Sequence, residues 1–178
     1  ADLRALAALY SHIRRGRFEV VHTHISKAGI LGRAAARLAG VPVVVHTYHG
    51  AVGEVEAPGA FGAVFRALER GAARLSDQLV AVSADTAARC LQLGIGRADQ
   101  YAVIHNGIDV ARFAGWQGDR PDAFPAGSRV IGVVGSLTRE KRVEALLEVV
   151  ARLRSGLPTL SLAIVGDVPL RAELAALA

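Results

Sequence analysis

Apolar residues recur every three or four positions in some segments of the chain and form short unbroken runs in others. The first spacing is typical of helices that pack on one side, and the second of strands buried on both faces of a parallel sheet. The spacing predicts helices over residues 3–16, 26–40, 61–75, 83–94, 143–154 and from 169 onward. Strands are expected at residues 19–22, 43–46, 79–82, 101–104, 130–134 and 160–165. Because the two kinds of segment alternate, we expect an α/β fold with doubly wound parallel sheets.

The apolar positions also predict which side of a helix faces the core. In the second helix these positions are Ala28, Leu31, Ala35 and Leu38. In the third helix they are Phe61, Val64, Phe65, Leu68, Ala72 and Leu75. The arginines are spread over several helices, and we expect solvated helix surfaces to account for most of them.

One segment, residues 114–128, is rich in Gly, Pro, Asp and Arg and shows no periodicity. Such a composition is typical of a linker. The sequence therefore predicts a first domain over residues 1–113 and a second over residues 129–178, both with parallel sheets.

Composition excludes several classes of protein. Of the 178 residues, 52% are hydrophobic and 21% are charged, which is typical of a folded chain with a core. Cys90 is the single cysteine, so no internal disulfide can form, which suits a reducing cytoplasm. The net charge of +5 is scattered and no nucleic-acid-binding module is evident, so we expect no nucleic-acid partner. The chain has no methionine and no helix start signal before Leu3, so we interpret it as an internal part of a longer protein.

Five of the six histidines are expected at or just after strand ends, which share one edge in a parallel sheet; they are His22, His24, His46, His49 and His105. Strand alternation places His22 and His24 on the same side. A His-x-His pair could bind a metal, as in a metal hydrolase. No Asp, Glu or Cys occupies a matching strand end, so hydrogen bonding to loop backbone or the lining of a polar cleft is the favoured interpretation, and we expect no metal.

His49 is the strongest candidate for chemistry. It follows a buried strand and precedes Gly50, where backbone can approach a ligand closely. A neutral imidazole there could hydrogen-bond a hydroxyl or stabilise developing charge. A packing or capping role is the alternative.

A second candidate is the segment from Gly135 to Arg142, between a strand and a helix. Such a junction presents backbone N–H groups to an anion. Arg139, Lys141 and Arg142 add positive charge at a helix start, where it is unfavourable unless an anion offsets it. This mismatch favours a diphosphate site over an ordinary basic helix start. The Gly166-Asp167 turn is less specific, and Gly32, Gly40 and Gly53 do not form the G-x-G-x-x-G pattern of dinucleotide enzymes.

The order of these segments resembles glycosyltransferase family 4. The matching stretches are His22-Thr23-His24 with Ser26-Lys27-Ala28-Gly29, His46-Thr47-Tyr48-His49-Gly50, Leu79 to Ser83, Val103 to Asp109, Gly135 to Lys141, and Gly166-Asp167-Val168-Pro169-Leu170. The sequence departs from the family at three positions, with Ser136 in place of an arginine, Arg142 in place of a glycine and Val168 in place of a glycine.

The resemblance implies a GT-B fold of two Rossmann-like domains, each incomplete in this chain. It implies a retaining transferase that moves a sugar from a nucleotide-sugar to a glycan or lipid-linked acceptor, without a cofactor. His49 would be catalytic and face the sugar across the cleft. The donor diphosphate and nucleotide would bind at Gly135, Ser136, Arg139, Lys141, Gly166 and Asp167. His24 and Lys27 would lie on the acceptor side.

The resemblance further implies a cytoplasmic protein at the inner face of the plasma membrane, with peripheral membrane association. Because the family's E-x7-E segment is absent from the chain, we expect this stretch alone to be inactive. Two alternatives remain open: a non-hydrolysing nucleotide-sugar epimerase of the same fold, and a non-catalytic Rossmann-like binding module.

Overall fold

The structure is a computed structural model that describes residues 2–50, 57–115, 124–125, 127–166 and 170–177. It divides into two compact units, Ala1–Asp109 and Val110–Ala178. The expected domain boundary at residues 114–128 stays a prediction, because most of that segment lies outside the described residues.

The first unit is a parallel four-stranded sheet with helices between its strands. Its elements are α1 (Asp2–Gly16), β1 (Val20–His24), α2 (Ser26–Leu38), β2 (Val43–Tyr48), α3 (Gly59–Arg74), β3 (Gln78–Ala81), α4 (Ala84–Gln92) and β4 (Tyr101–Val103). The strands pair in the order β1-β2-β3-β4, and every pairing is parallel. The alternating pattern therefore predicted the α/β class correctly.

The second unit contains a parallel pair of strands flanked by helices. Its elements are α5 (Val110–Ala114), β5 (Arg129–Val134), a 3-10 turn (Arg139–Lys141), α6 (Val143–Leu153), β6 (Leu160–Val165) and α7 (Arg171–Leu177). The register runs from Arg129 opposite Leu160 to Val134 opposite Val165. Leu137, Val143 and Leu174 form its buried core. Because Leu137 belongs to the loop after β5, its side chain holds that loop against the core.

Strand β2 is longer than the sequence predicted. It continues to Tyr48, so His46 lies inside the strand rather than at its end, and His46 is completely buried. His22 likewise lies inside β1, whereas His24 ends that strand. The expectation that these histidines all occupy strand ends was wrong for His22 and His46. Pairing with β2 extends β1 through His24, and pairing with β3 extends β2 through Tyr48.

Helix α2 packs on the sheet through a face that matches the expected one only at Ala35. Its buried residues are Gly29, Gly32, Arg33, Ala35 and Ala36, while Leu38 is exposed. A Cβ atom at Gly29 would lie 2.3 Å from Cε1 of His46, and one at Gly32 would lie 2.7 Å from Cγ2 of Thr23. The helix therefore packs through its smallest residues, because the sheet beneath it carries side chains that need the space.

Helix α3 departs from the expectation in the same way. Its buried residues are Gly62, Glu69, Ala72 and Ala73. Phe61, Val64 and Leu68, which the periodicity assigned to the core, are exposed. The apolar pattern predicted the helix correctly and its buried side only in part, because Ala72 is buried and Phe65 packs against the core as expected.

Candidate functional site

Three imidazoles meet at the C-terminal end of β1 and β2. The ring centroids of His22 and His24 lie 4.4 Å apart, as the alternation along β1 predicted. His49, the first residue after β2, brings its ring centroid to 5.1 Å from that of His24. Parallel pairing of β1 with β2 creates this cluster, because it aligns the ends of two strands that are 25 residues apart in sequence.

His24 and His49 are joined by a hydrogen bond of 2.9 Å between Nδ1 of His24 and Nε2 of His49. When both rings are neutral, one of these nitrogens must donate and the other must accept. The bond therefore couples the tautomer of each ring to that of the other. It also leaves Nδ1 of His49 as the ring nitrogen outside the pair.

His22, on β1, forms a hydrogen bond with Thr47 on β2. Its Nε2 lies 2.7 Å from the hydroxyl oxygen of Thr47, which is buried in β2. Partial burial lowers the pKa of His22, and the neighbouring imidazoles of His24 and His49 lower it further. His22 therefore stays neutral under conditions in which an ordinary histidine begins to take up a proton.

His46 lies beneath this cluster, packed against Gly29. Oγ1 of Thr23 lies 2.8 Å from Nδ1 of His46 and 3.3 Å from the carbonyl oxygen of Val45, and the tautomer of His46 sets which atom donates in the first contact. Nε2 of His46 has no hydrogen-bond partner among the described residues. Burial and the nearby guanidinium of Arg33 lower the pKa of His46 to about 2, so this ring is neutral.

A buried ion pair supports the strand that leads to His49. Arg33 donates to Oε2 of Glu69 at 2.7 Å, and both side chains are fully buried. The hydroxyl of Tyr48 donates to the same oxygen at 3.0 Å, and Nε of Arg33 donates to the carbonyl of Gly29 at 3.0 Å. Burial raises the pKa of Tyr48, so its hydroxyl remains protonated and can donate.

Sequence reasoning missed this network, because it interpreted the arginines as solvated. The available signal was small: Arg33 lies four residues after Gly29 and one after Gly32, on a helix side that has room for a large residue. The identity of its partner depends on α2 packing beside α3, which no local pattern encodes.

Lys27 and His105 have partners other than the three clustered imidazoles. Nζ of Lys27 lies 3.0 Å from a carboxylate oxygen of Asp2, and both side chains are largely exposed. Nδ1 of His105 donates to the carbonyl of Val82 at 3.1 Å, which is a loop-backbone role of the kind expected for these histidines. The acceptor-side assignment of Lys27 stays a prediction.

In the second unit, the loop after β5 surrounds a pocket of about 90 Å³. Its lining includes Gly135, Ser136 and Lys141, together with Val133, Val134, Leu137 and Val143. The sequence therefore predicted three of the seven lining residues as site residues. The helix begins only at Val143, after the 3-10 turn and after Arg142, which has a left-handed backbone with φ of 50°. Lys141 thus reaches the pocket from the loop and not from the first turn of α6.

Gly166 lies where the ends of β5 and β6 meet. A Cβ atom there would fall 1.9 Å from the carbonyl oxygen of Gly135, so a side chain at this position would displace the loop backbone. The N–H of Gly135 also donates to the carbonyl of Val165 at 3.0 Å. Gly166 therefore holds the first residue of the candidate diphosphate loop against β6.

Two other residues that the sequence predicts to bind the donor diphosphate or nucleotide, Arg139 and Asp167, have no contact here that shows such a role. Arg139 is exposed and lies 3.8 Å from a carboxylate oxygen of Glu173 on α7, a weak surface pair. Asp167 lies outside the described residues, as do Val168 and Pro169. Within the described ranges, no group of three or more His, Cys, Asp or Glu side chains is arranged to hold a metal ion.

The two parallel α/β sheets have the architecture of the GT-B fold. The structure superposes on the S. aureus MnaA–UDP complex with a TM-score of 0.63 and 18% identity, over 99% of this chain and 48% of that one. The superposition on UDP-GlcNAc 2-epimerase from Neisseria meningitidis bound to UDP-GlcNAc has a TM-score of 0.59 and 18% sequence identity. It covers 95% of this chain and 48% of that one. The superposition on TarM has a TM-score of 0.63 and 12% sequence identity, and it covers 96% of this chain and 33% of that one.

Comparison of the amino-acid sequence with known families identifies the family of this chain. The model of glycosyltransferase family 4 matches residues 1–112, so the chain belongs to glycosyltransferase family 4. It is 39% identical, over 113 residues, to the UDP-Gal:alpha-D-GlcNAc-diphosphoundecaprenol alpha-1,3-galactosyltransferase of Escherichia coli. That match covers 64% of this chain and 29% of the relative, so the chain spans less than a third of that enzyme.

Proposed function

We propose that the protein transfers a hexose from a UDP-sugar to a lipid-linked diphosphate acceptor. The observation that carries the proposal is the 39% identity to a galactosyltransferase whose name specifies both substrates. Two structural neighbours that hold UDP or UDP-GlcNAc support a uridine nucleotide. We further propose that the enzyme is retaining and that no cofactor acts beside the nucleotide-sugar.

In this proposal, the pocket after β5 binds the donor diphosphate. Its backbone N–H groups and the ammonium of Lys141 can neutralise the negative charge that grows on the leaving diphosphate. Ser136 offers a hydroxyl at the same pocket. Leu137 and Val143 line the same pocket and are buried, and an apolar lining of this kind strengthens these electrostatic contacts.

His49 would act on the transferred sugar. Its imidazole is held from one side by His24, so its orientation is fixed before substrate binds. A fixed imidazole can hydrogen-bond a sugar hydroxyl and stabilise positive charge that develops during transfer. His24 and Lys27 are proposed to lie on the acceptor side, and the protein is proposed to work at the cytoplasmic face of a membrane, where a lipid-linked acceptor is presented.

The diphosphate assignment can be tested by calorimetric titration of the full-length protein with UDP. Lys141→Ala should weaken UDP binding about tenfold or more, because a desolvated charge-assisted hydrogen bond contributes roughly 1.5–3 kcal/mol. Arg129→Ala is the matched control, since Arg129 is an exposed cation at the opposite end of β5. Equal losses in the two variants would contradict a specific site at the loop.

A sugar epimerase is the second candidate, favoured by the similarity of the fold to two UDP-GlcNAc 2-epimerase structures. The two reactions differ in their need for an acceptor. An NMR assay of UDP-sugars with and without a short-chain lipid diphosphate acceptor separates them. Product that forms only with acceptor, with the donor's anomeric configuration kept, supports retaining transfer; a new UDP-sugar formed without acceptor would establish the epimerase.

A further inference from the structure

The hydrogen bond between His24 and His49 leaves one outer nitrogen on each ring, Nε2 of His24 and Nδ1 of His49. Both side chains are exposed. When both rings are neutral, the pair has two N–H groups, and one of them lies in the shared bond. One outer nitrogen therefore carries a hydrogen and the other a lone pair. The neutral pair offers a ligand one donor and one acceptor.

A single added proton changes this pattern. With the proton on His24, its Nδ1–H donates to Nε2 of His49, and both outer nitrogens carry hydrogens. The shared bond is kept and becomes charge-assisted. A second proton would set two N–H groups against each other at 2.9 Å and break the bond. The geometry therefore accommodates one positive charge, which turns both outer nitrogens into donors.

The charged groups around the pair do not neutralise this proton. In the described part of the chain, those that act on His22 are the imidazoles of His24 and His49. Those that act on His46, beneath the pair, are the guanidinium of Arg33 and the same three imidazoles. No carboxylate is among them. A proton on His24 therefore favours an anionic ligand.

The start of α2 adds to this preference. The helix begins at Ser26, two residues after His24, and Ile25 at its N-cap gives no side-chain hydrogen bond to the first turn. The first turn has no acidic residue. It carries Lys27, whose exposed side chain pairs with Asp2 of α1. Free N–H groups and the helix dipole at such a start favour negative charge.

We propose that protonated His24 binds a diphosphate anion through its Nε2–H while it donates through Nδ1 to His49. The anion supplies the counter-charge that the surrounding imidazoles lack. His49 stays neutral, with Nε2 accepting from His24 and with the hydrogen on Nδ1. Binding of the anion therefore fixes the tautomer of the candidate catalytic imidazole.

This inference rests on the proposed function for the source of the anion, which is the diphosphate of the lipid-linked acceptor. Its physical basis is separate, because proton uptake and ring tautomers can be measured without turnover. Lys141→Ala tests the donor loop through UDP affinity, and substitution of His24 leaves that loop unchanged. The lipid part of the acceptor does not enter the inference, and over the described ranges none of the helices is long and apolar enough to cross a bilayer.

The first test is calorimetric titration of the full-length protein with geranyl diphosphate at pH 8, in buffers of different ionisation enthalpy. An ordinary histidine is neutral at this pH. Binding should therefore take up about one proton more in the wild type than in His24→Gln, and this difference cancels the proton balance of the ligand itself. By linkage, the wild-type affinity should rise by up to about tenfold when the pH is lowered by one unit, and His24→Gln should lose most of this rise.

The matched control is His12→Gln, which removes an exposed imidazole of α1 outside the cluster. It should take up the same number of protons as the wild type. Both variants should keep the wild-type circular dichroism and UDP affinity. Equal proton uptake by His24→Gln and the wild type, or an equal loss in His12→Gln, would overturn the proposal.

Nitrogen-15 NMR of the rings is the second test. With geranyl diphosphate bound, both nitrogens of His24 should carry hydrogens, and Nε2 of His49 should carry none. A His24 ring that stays neutral in the complex would contradict the proposal. The same titrations with UDP separate the two sources of diphosphate: proton uptake with geranyl diphosphate supports the acceptor, and uptake with UDP alone would overturn that assignment.

Discussion

Nδ1 of His24 and Nε2 of His49 lie 2.9 Å apart, so the candidate catalytic imidazole is held by a second imidazole from the neighbouring strand. His22 lies against His24, and Thr47 holds His22 in turn. The orientation of His49 thus depends on two strands rather than on its own loop. His24 is a positioning residue in this arrangement, whatever its part in acceptor binding.

We predict that His24→Leu lowers kcat of the full-length enzyme about tenfold, with a smaller change in KM for the donor, because His49 loses its fixed orientation. His49→Ala should lower kcat by about 10² or more. His24→Asn should retain more activity than His24→Leu, since the Asn amide can occupy the position of Nδ1. Nitrogen-15 NMR of the His49 ring should show mixed tautomers in His24→Leu and one dominant tautomer in the wild type. Unchanged tautomers together with unchanged kcat would show that the bond has no positioning role.

The burial of His46 predicts that the first unit loses stability in mild acid. Its pKa is about 2 in the folded state, against an ordinary value of 6.5, so below pH 6.5 only the unfolded chain takes up this proton. Stability should fall by about 1.4 kcal/mol for each pH unit between 6.5 and 4.5. The lowered pKa of His22 acts in the same direction. Urea unfolding at several pH values gives the slope.

The matched variant is His46→Asn, which removes the titrating group. Its absolute stability will be lower, because the ring leaves a gap beside Gly29, but its stability should depend less steeply on pH. The comparison uses slopes and not absolute values. Parallel slopes for the two proteins would mean that His46 is protonated in the folded state or is not buried in solution.

The buried ion pair of Arg33 and Glu69 predicts that Glu69→Gln lowers the stability of the protein more than Tyr48→Phe does. Glu69→Gln should destabilise the protein by about 3–5 kcal/mol, because the guanidinium of Arg33 would stay buried without its counter-charge. Tyr48→Phe should cost only about 1–2 kcal/mol, since the ion pair itself remains. Denaturant unfolding measures both. A larger cost for Tyr48→Phe than for Glu69→Gln would show that the ion pair is not the main support of β2.

Gly166 predicts a link between backbone packing and donor binding. Gly166→Ala should push Gly135 and the loop away from β6, since the new Cβ would overlap the Gly135 carbonyl oxygen. We expect UDP affinity to fall about tenfold, because the displaced backbone N–H groups of the loop lose their alignment with the diphosphate oxygens. Gly132→Ala is the control: Gly132 lies in β5 with no heavy atom near its added Cβ, and affinity should not change. If Gly166→Ala binds UDP normally, the diphosphate site lies elsewhere.

The sequence by itself determined the order and type of the helices and strands except for the short helix α5, as the strands β5 and β6 and the Ser83 cap of α4 illustrate. Ser83 accepts a hydrogen bond from the N–H of Thr86 at 3.1 Å, as its position before a helix predicts. Such features depend on residues a few positions apart, so a single chain segment encodes them. The family resemblance had the same origin, in short motifs in a fixed order.

The tertiary structure alone decided the partners and the buried faces. Parallel pairing of β1 with β2 brought His24 to His49 and His22 to Thr47, across 25 residues in both cases. Close packing on the sheet selected the glycine side of α2 and left Leu38 in solvent. On α3 the same requirement for close approach buried Glu69 against Arg33 and turned Phe61 outward. Hydrophobic periodicity cannot predict these outcomes, because it reports which residues are apolar and not how much space the opposing element leaves.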